Sequence, residues 1–577
     1  MAALGEHTRW RPCCHETNKG DIQKENHRDL EQTPKQTMKN SWPLKEWAIA
    51  LSLANLCFYP VWCQLLPGSY GYFYLKNPPS PSVNAGAMLA MLLFAAFFWI
   101  AFRFAKRSGS SLVLLLAQFS FLAVFLAALN GIRFHHMRFS STELVGTPGR
   151  MDVPWKLLLA FVVLGGCSPW RRRVIHAAAM ATLILSPFAA VTLSQAAWAG
   201  FKSKMGIPFA EFSDQPNAPL LPVKPGTRRV VWFLFDGMDQ LIAFSNRPGG
   251  VALPHLDRFR SEAVYAPYAY SPAGSTLLSI PALLMGKNID EARPLRTDEL
   301  RVRFSDTHQR ASWGAQPNVF SRVRKLGFNS ALAGYHLPYG RILGKDLAAC
   351  VWTADRWDSV GMDDPEVSIP EAASGFLAVS AERLLTSLPF VWRVKGFSEL
   401  ENFLHRRRPL SARLAEHIQT YRTILEAARK DSTDPSFQLV FVHWPVPHHP
   451  YIYDRARGDF NPGKETSYMD NMVLADRTLG EMRKEMERKG IWDDSIVLIT
   501  ADHGYRTIQH GRSLGRANVV FLLKMPHQRQ ETVCPTSFVT TLIPDLISKL
   551  LQDKRIDPDS VVAWIGQSRW EKSRIGH

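Results

Sequence analysis

The sequence is short of cysteine, with seven among its 577 residues, and it shows no disulfide framework. Five of them lie in apolar runs or in the polar N-terminal stretch: Cys13, Cys14, Cys57, Cys63 and Cys167. Cys350 and Cys534 are the two left that could pair, although nothing in the sequence fixes the distance between them. The chain also lacks paired Cys/His zinc spacing and an aromatic RNP-like strand, so no nucleic-acid-binding module is recognised.

Acidic residues are fewer than basic ones. The sequence has 51 Asp and Glu residues and 68 Lys and Arg residues, and its formal net charge is +17. Such an excess suits nucleic acid, an anionic membrane surface or an anionic substrate. Because no nucleic-acid module is present, we expect membrane and anionic partners and no nucleic acid.

Residues 1–42 are poor in branched apolar side chains and mixed in charge, which predicts a disordered cytoplasmic leader. A secretory signal would place its apolar core near the start, whereas the first apolar run here begins near Trp47. No internal repeats are visible. At this length one ordinary core is insufficient, and two to four structural units are expected.

Five apolar stretches follow the leader and predict a transmembrane domain over 43–200 with about five helices, since about 20 apolar residues span a bilayer core. The fourth stretch is short and ends in Gly165-Gly166, so a packed or re-entrant segment is an alternative there. The stretches are 46–66, 85–105, 111–130, 153–168 and 174–199.

Positive charge predicts how these helices are oriented, because Lys and Arg are retained on the cytoplasmic side. The loops after the second and the fourth apolar stretch carry clustered Lys and Arg residues. The loop after the first stretch, residues 67–84, carries only Lys76. With an odd number of crossings, everything after residue 200 then lies outside. Arg133, Arg138 and Arg150 in the third loop oppose this orientation.

A Pro-rich linker over 201–226 precedes alternating strand and helix patterns, which predict a layered α/β domain over 227–555 and a C-terminal tail over 556–577. Strands are predicted near 229–235, 330–334, 438–443, 496–500 and 518–523. Helices are predicted near 276–285, 320–326, 411–429, 467–488 and 537–551.

Polar residues follow three of the predicted strands, where open α/β sheets bind ligands. Asp236-Gly237 ends the first strand and Asp502-His503-Gly504 ends a late one. Between them, a third strand leads into a segment with three histidines, 443–450. Carboxylates and imidazoles are ligands that zinc or manganese accepts. Each feature alone also has a structural explanation: a turn, a capped loop and a rigid surface loop, respectively.

A hydroxyl residue follows Gly274 and opens an apolar helical run, as Ser275-Thr276. A helix start offers free backbone N–H groups and the positive end of the dipole, which favour an anionic ester and a developing alkoxide. The alternative is that Ser275 or Thr276 is only an N-cap.

The order of these elements resembles that of the alkaline phosphatase/sulfatase superfamily over about residues 228–525, and the helical block resembles phosphoethanolamine transferases and, more loosely, lipoteichoic acid synthases. The resemblance implies an alkaline-phosphatase-like three-layer α/β/α domain. It implies Asp236, Thr276, Asp502 and His503 as metal ligands and Thr276 as the nucleophile. It further implies that His448 and His510 contact the substrate or stabilise transferred oxygens.

The sulfatase motif Cys-x-Pro-x-Arg is not matched, because Leu278 and Ile280 occupy its Pro and Arg positions, and ordinary sulfatase chemistry is therefore disfavoured. The resemblance implies a divalent metal, with zinc or manganese first and calcium or magnesium as alternatives. It implies a transferase in the inner (cytoplasmic) membrane that moves phosphoethanolamine or phosphoglycerol from a membrane lipid donor to an anionic glycan or lipid acceptor. A phosphate- or sulfate-ester hydrolase with the same site is the alternative, and an inactive membrane scaffold is a third hypothesis.

Overall fold

The computed structural model of the protein describes residues 42–66, 70–138, 169–224, 226–355, 362, 364, 366–386, 410–505 and 516–567. The chain divides into a short N-terminal unit, Met1–Glu46, and a main unit, Trp47–His577. The short unit is described only from Trp42, where the first helix begins.

The first part of the described chain is helical and largely apolar. Pro81–Arg107, Ser111–Ile132 and Arg171–Lys204 are long and apolar enough to cross a membrane. Leu44–Cys57 and Tyr59–Leu65, which meet at a bend of 61°, would make a fourth span if the two are taken as one. The predicted five spans are therefore not confirmed, and the fourth predicted stretch, 153–168, lies outside the described residues. The helices are α1 Trp42–Cys57, α2 Tyr59–Leu65, α3 Pro81–Arg107, α4 Ser111–Arg138, α5 Arg171–Ile184 and α6 Ser186–Lys204.

An eight-stranded mixed sheet forms the centre of the remaining chain, in the order β14-β2-β13-β12-β1-β9-β7-β8. The five strands from β12 to β8 in this order run parallel to one another, whereas β13 pairs antiparallel with β12 and with β2. Its strands are β1 Val230–Asp236, β2 Val264–Tyr265, β7 Ser330–Tyr335, β8 Ala349–Thr353, β9 Leu439–Pro447, β12 Ile496–Ala501, β13 Phe521–Lys524 and β14 Thr532–Val533.

Within the described residues, three small sheets accompany the central one: β4-β5-β6, β10-β11 and β3-β15. Their strands are β3 Ala269–Tyr270, β4 Ile289–Arg296, β5 Glu299–Phe304, β6 Arg310–Ser312, β10 Tyr453–Asp454, β11 Asp459–Phe460 and β15 Phe538–Val539. The helices of this part are α7 Pro254–Ser261, α8 Thr276–Met285, α9 Val319–Lys325, α10 Tyr339–Leu343, α11 Ile369–Thr386, α12 Leu410–Thr433, α13 Tyr468–Arg488, α14 Ile543–Gln552 and α15 Pro558–Gln567.

Strand β1 is buried on both faces, and all seven of its residues are enclosed. Trp232 and Leu234 pack into one core with α8, α9 and α14, whereas Phe233 and Phe235 pack into a second core with α12 and α13. The sequence of a strand that is buried on both faces is a nearly continuous apolar run, as it is in β1. The sheet therefore carries a helix layer on each face, as the sequence predicts.

Most predicted elements differ from the observed ones by one or two residues. The predicted helix over 537–551 is wrong at its start, because Phe538–Val539 pairs with β3 as strand β15 and the helix begins at Ile543. The strand predicted over 518–523 is likewise wrong at its start, because the observed strand β13 begins at Phe521. Cys350 and Cys534 are free thiols and do not pair.

A loop between the apolar helices belongs to the core of the sheet domain. The 3₁₀ turn Tyr70–Tyr74 links α2 to α3, and Phe73 is fully buried in the same core as Trp232. Helix α11, from the segment between β8 and β9, packs in return among the apolar helices, where Phe376 shares a core with Ala87 of α3. The apolar helices and the sheet domain thus contribute to each other's cores.

Candidate metal centre

Three neighbouring parallel strands bring the predicted site residues to one edge of the sheet. β1 lies between β12 and β9, and Asp236 is its last residue. Asp502 and His503 directly follow β12, and His448 directly follows β9. Because parallel strands end at the same edge, residues distant in the sequence become neighbours there.

The distances confirm that these side chains converge. His503 Nε2 lies 3.2 Å from Asp236 Oδ1, 3.5 Å from Asp502 Oδ2 and 3.3 Å from Thr276 Oγ1. Asp236, Asp502 and His503 are at most 2% exposed, and Thr276 is 7% exposed. The side chains of all four predicted ligands are therefore in mutual proximity, with an oxygen of each of the other three within 3.5 Å of His503 Nε2.

The contacts of His503 identify which ring nitrogen faces the carboxylates. Nδ1 lies 2.8 Å from the Gly504 carbonyl oxygen, which can only accept, so Nδ1 carries the proton. Nε2 then faces the carboxylates of Asp236 and Asp502. A lone pair facing two carboxylates is repulsive unless a cation or proton lies between them, and a bound metal ion would fulfil this role.

Two further histidines face Asp236. His443, inside β9 beside Leu234, is fully buried, with its Nε2 3.8 Å from Asp236 Oδ2 and its Nδ1 2.8 Å from the Tyr339 hydroxyl. Two groups offer ligand atoms within 4.8 Å of one another: Asp236 with His448 and His503, and Asp236 with His443 and Asp502. In the described part of the chain, neither His443 Nε2 nor Asp502 Oδ2 has a hydrogen-bond partner. Buried donors and acceptors are normally paired, so this set fits a divalent ion.

The electrostatics of Asp236 agree with a cation site. Burial acts to raise the pKa of Asp236, but His448, His503 and His443 outweigh it and hold that pKa well below its ordinary value. Burial lowers the pKa of His443, while Asp236 and Asp502 act to raise it. A carboxylate kept ionised among largely desolvated imidazoles is a strong ligand for zinc or manganese.

The Asp236-Gly237 pair is both a turn and part of the site. Gly237 has φ +74, and a Cβ there would lie 3.3 Å from His503 Cε1 and 3.6 Å from His448 Cδ2. Its amide donates to Asp502 Oδ1 (3.1 Å), and its carbonyl accepts from the Tyr468 hydroxyl (2.9 Å). Glycine is favoured here by the positive φ, and the His503 ring would add a tight contact to any Cβ.

Thr276 is not a capping residue. It is the first residue of α8, and Ser275 holds the N-cap position without making a side-chain capping hydrogen bond. The Thr276 hydroxyl points instead toward His503 Nε2. It therefore lies at the positive end of a ten-residue helix, beside the candidate metal ligands.

The loop that carries His448 is fixed by helix α13. Asn471, fully buried, donates from Nδ2 to the carbonyls of His448 (3.0 Å) and Pro450 (3.2 Å). His448 Nδ1 lies 2.7 Å from the His449 carbonyl oxygen, and His448 is grouped with Asp236 and His503 by its ligand-atom distances. His449 pairs with Glu465 at 2.8 Å and is not part of either ligand group.

His510, the remaining predicted site residue, lies outside the described residues. Sequence reasoning placed His443 in the histidine-containing segment 443–450 but did not assign it as a ligand. A buried strand carrying an imidazole beside a metal-ligand candidate is the signal that could have found it, because an unpaired imidazole is costly in a core.

No protein-family model matches the chain, and no curated protein matches it. Solved structures similar to it include a phosphonate monoester hydrolase of Agrobacterium radiobacter, with 11% identity and a TM-score of 0.34, covering 56% of this chain and 73% of that one. The PsFucS1 sulfatase from Pseudoalteromonas sp. shows 13% identity, a TM-score of 0.36 and coverage of 59% and 74%. A protein in the alkaline phosphatase superfamily from Vibrio parahaemolyticus shows 12% identity, a TM-score of 0.33 and coverage of 58% and 69%. These scores are too low to assign a family.

Proposed function

We propose that the protein is a membrane-anchored, metal-dependent enzyme of the alkaline phosphatase/sulfatase type that cleaves an anionic ester through a covalent Thr276 intermediate. The observation that carries this proposal is the position of the Thr276 hydroxyl, at a helix N-terminus and 3.3 Å from His503 Nε2 within the carboxylate and imidazole cluster. A threonine hydroxyl with only a structural role would not need to lie beside candidate metal ligands at a helix N-terminus.

Asp236, Asp502, His503 and Thr276 would hold the ion, with His443 and His448 as further ligand candidates. When bound, a divalent ion supplies Lewis-acid stabilisation of the hydroxyl and of the anionic ester. The backbone N–H groups at the start of α8, next to Thr276, favour added negative charge.

The proposed reaction consists of two displacements. Thr276 Oγ1 loses its proton and bonds to phosphorus, the bond from phosphorus to the leaving alcohol breaks, and the alkoxide takes up a proton. An acceptor hydroxyl then attacks phosphorus, the bond to Oγ1 breaks, and Thr276 regains a proton. His448 is the candidate group for stabilising the transferred oxygens if it does not bind the ion, and His510 is proposed for the same role.

We further propose that the reaction is the transfer of a phospho-alcohol group, of the phosphoethanolamine or phosphoglycerol type, from a membrane lipid to an anionic glycan or lipid acceptor. This is supported by the candidate membrane spans and by the burial of Phe73 from the α2–α3 loop in the core of the sheet domain. Such a site would lie close to a lipid donor. The proposal places the protein in the inner membrane with its sheet domain outside.

Intact-mass analysis of the full chain in lipid nanodiscs containing phosphatidylethanolamine or phosphatidylglycerol tests this proposal. We expect a mass adduct that maps to Thr276, depends on a divalent metal and moves to an added glycan or lipid acceptor. Loss of the adduct to water with no acceptor product would instead define a hydrolase. A chain that binds no divalent ion and forms no adduct would be an inactive scaffold.

Substitutions at the helix start supply the controls. Thr276→Ala should abolish the adduct and lower turnover by at least about 10³-fold, because it removes the nucleophile. Thr276→Ser keeps a hydroxyl and should keep the adduct. Ser275→Ala, one residue away, should behave as wild type, and full turnover by Thr276→Ala would refute the proposed role.

A further inference from the structure

A surface groove runs between helices α3 and α6, which both belong to candidate membrane spans. It holds about 490 Å³, within the range of about 300–1,000 Å³ that small-molecule sites occupy. The lining is apolar apart from one serine hydroxyl. It includes Ala85, Leu89 and Leu92 of α3 and Leu193, Ser194 and Ala197 of α6.

Small side chains explain the shape of this groove. At one end of it the two helices approach closely, since a Cβ on Gly200 of α6 would lie 3.1 Å from the Cβ of Asn84 in α3. Membrane helices commonly pack through small residues in this way. Ala85 and Ala197, next to this contact, line the groove and are too short to fill it. The helix pair therefore leaves an apolar depression on its surface.

The end of α6 has the features of a membrane–water interface. Trp198 is 60% exposed and stacks on Phe201, which is 50% exposed, with ring centroids 5.8 Å apart. Lys202 and Lys204 follow in the last turn of the helix. Exposed tryptophan is enriched at the level of the lipid headgroups, and lysines near helix ends extend to the same level. The groove, which continues from Ala197 away from this end, is therefore at the depth of the acyl chains.

Lys204 lies on the groove side of α6. It follows Ala197 by seven positions, which places both residues on one face of the helix, roughly 10 Å apart along its axis. The positive end of the α3 dipole is close by, because a Cβ on Gly200 would lie 3.8 Å from the Pro81 carbonyl oxygen in the first turn of α3. Neither helix contains an acidic residue. The groove thus has an apolar body and a positively charged head.

The two lysines stand out against the predicted orientation of the membrane helices. That orientation places the end of α6 outside, whereas Lys and Arg are normally concentrated in cytoplasmic loops. A negatively charged headgroup beside Lys204 would explain a positive charge at this position.

We propose that this groove binds one acyl chain of a glycerophospholipid, whose phosphate lies beside Lys204. An apolar chain joined to a phosphate matches both parts of the groove. The Ser80 N–H, at the start of α3, donates to the Met362 carbonyl (3.0 Å), so the head of the groove is on the side of the sheet domain. The inference goes beyond the proposed function and does not depend on it, because lipid binding requires no ester cleavage.

Native mass spectrometry of the full chain in detergent, titrated with 1-palmitoyl-2-oleoyl-phosphatidylglycerol, tests this inference. We expect the wild type to bind one lipid more tightly than any further lipid. Ala197→Phe fills the groove and should lower the affinity for this first lipid by about 10-fold, because part of the acyl chain loses its apolar contacts. Val191→Phe adds a similar bulk at an exposed position of α6 that does not line the groove, and it should bind the lipid as the wild type does.

Substitutions of Lys204 test the place of the phosphate. Lys204→Gln should lower the affinity by about fivefold, the usual contribution of one basic residue at an anionic membrane surface. Lys204→Arg keeps the charge and should keep the affinity. Arg107→Gln is the control, because it removes the same charge from the opposite end of α3.

The side chains of Ala197 and Lys204 are exposed, so their variants should keep the wild-type unfolding midpoint, and a loss of binding then reports on the groove. Equal affinities of the wild type for the first and later lipids, or wild-type affinity in Ala197→Phe, would overturn the inference. Wild-type affinity in Lys204→Gln would overturn the place of the phosphate and with it the proposal.

Discussion

Gly86 of helix α3 lies against Ala372 of helix α11 so closely that a Cβ on the glycine would be 2.5 Å from the alanine Cβ. The same Cβ would be 2.9 Å from the Ala373 backbone nitrogen and 3.0 Å from the Ile369 carbonyl oxygen. Small residues let helix backbones approach in this way. The contact joins a candidate membrane span to a helix that the sheet domain inserts between β8 and β9.

Gly86→Ala should therefore destabilise the protein. In a helix interior Ala is favoured over Gly by about 1 kcal/mol. Here the overpacking cost of about 1–3 kcal/mol should exceed that gain, since two of the clashing atoms are backbone. Thermal unfolding of the full chain in detergent would show a lower midpoint. Gly249→Ala is the control, because a Cβ at Gly249 meets no heavy atom within 4 Å; a raised midpoint for Gly86→Ala would contradict the packing argument.

Asp236→Asn should abolish metal binding, because Asp236 belongs to both ligand groups and supplies their shared carboxylate. Metal content after dialysis, measured by mass spectrometry, should fall to background, and ester turnover should fall with it. Asp239→Asn is the control from the same loop: Asp239 accepts backbone hydrogen bonds from Leu241, Ile242 and Tyr505 and lies in neither ligand group. Stoichiometric metal in Asp236→Asn would exclude this site.

Arg341→Lys should destabilise the junction between the α2–α3 loop and the sheet domain despite keeping the charge. The guanidinium donates to two carbonyls of the loop and stacks 4.8 Å from the Phe212 ring centroid and 4.9 Å from that of Trp352. A lysine ammonium offers neither the fork nor the flat face. Because carbonyls would be left buried and unpaired, we expect a loss of about 2 kcal/mol. Arg296→Lys, at a side chain 59% exposed, should change little in the same unfolding measurement.

Asp431 should make the protein less stable as pH rises. Burial raises the pKa of Asp431 to about 6, with Asp434 adding to the rise and Lys430 and Arg229 opposing it. A carboxyl with a raised folded-state pKa contributes stability that is full below its unfolded pKa of about 4 and is lost as pH passes about 6. Asp431→Asn should thus stabilise the protein by about 2 kcal/mol near pH 8 and by nearly nothing near pH 4. Asp494→Asn, at a side chain 74% exposed, is the surface control in the same unfolding measurements.

Local sequence patterns predicted the elements that hold the site. The apolar run of β1 predicted both the strand and the position of Asp236 at its tip. A strand buried on both faces has a continuous apolar sequence, which is easily recognised. Helix α8 was predicted over 276–285 and observed over Thr276–Met285. The helix predicted over 467–488 is observed as α13, Tyr468–Arg488, and its Tyr468 also holds the loop after Asp236.

Features that depend on contacts between distant segments were not predicted. His443 faces Asp236 only because β9 lies beside β1, which no local pattern reveals. The stacking of Tyr74 on His336 likewise depends on how the α2–α3 loop meets the sheet. The start of α14 was missed because Phe538 pairs with β3, so a tertiary contact outweighs the local helical preference.

The burial of Phe73 among the residues of the main sheet has a practical consequence for anyone who truncates the protein. A soluble fragment that begins after Lys204 would leave a void the size of a phenyl ring, and removing such a side chain costs about 3–5 kcal/mol. Typical domains are stable by only about 5–15 kcal/mol in total. Residues 70–76 therefore belong to the folded core of the sheet domain, and any fragment intended for crystals or assays must include them.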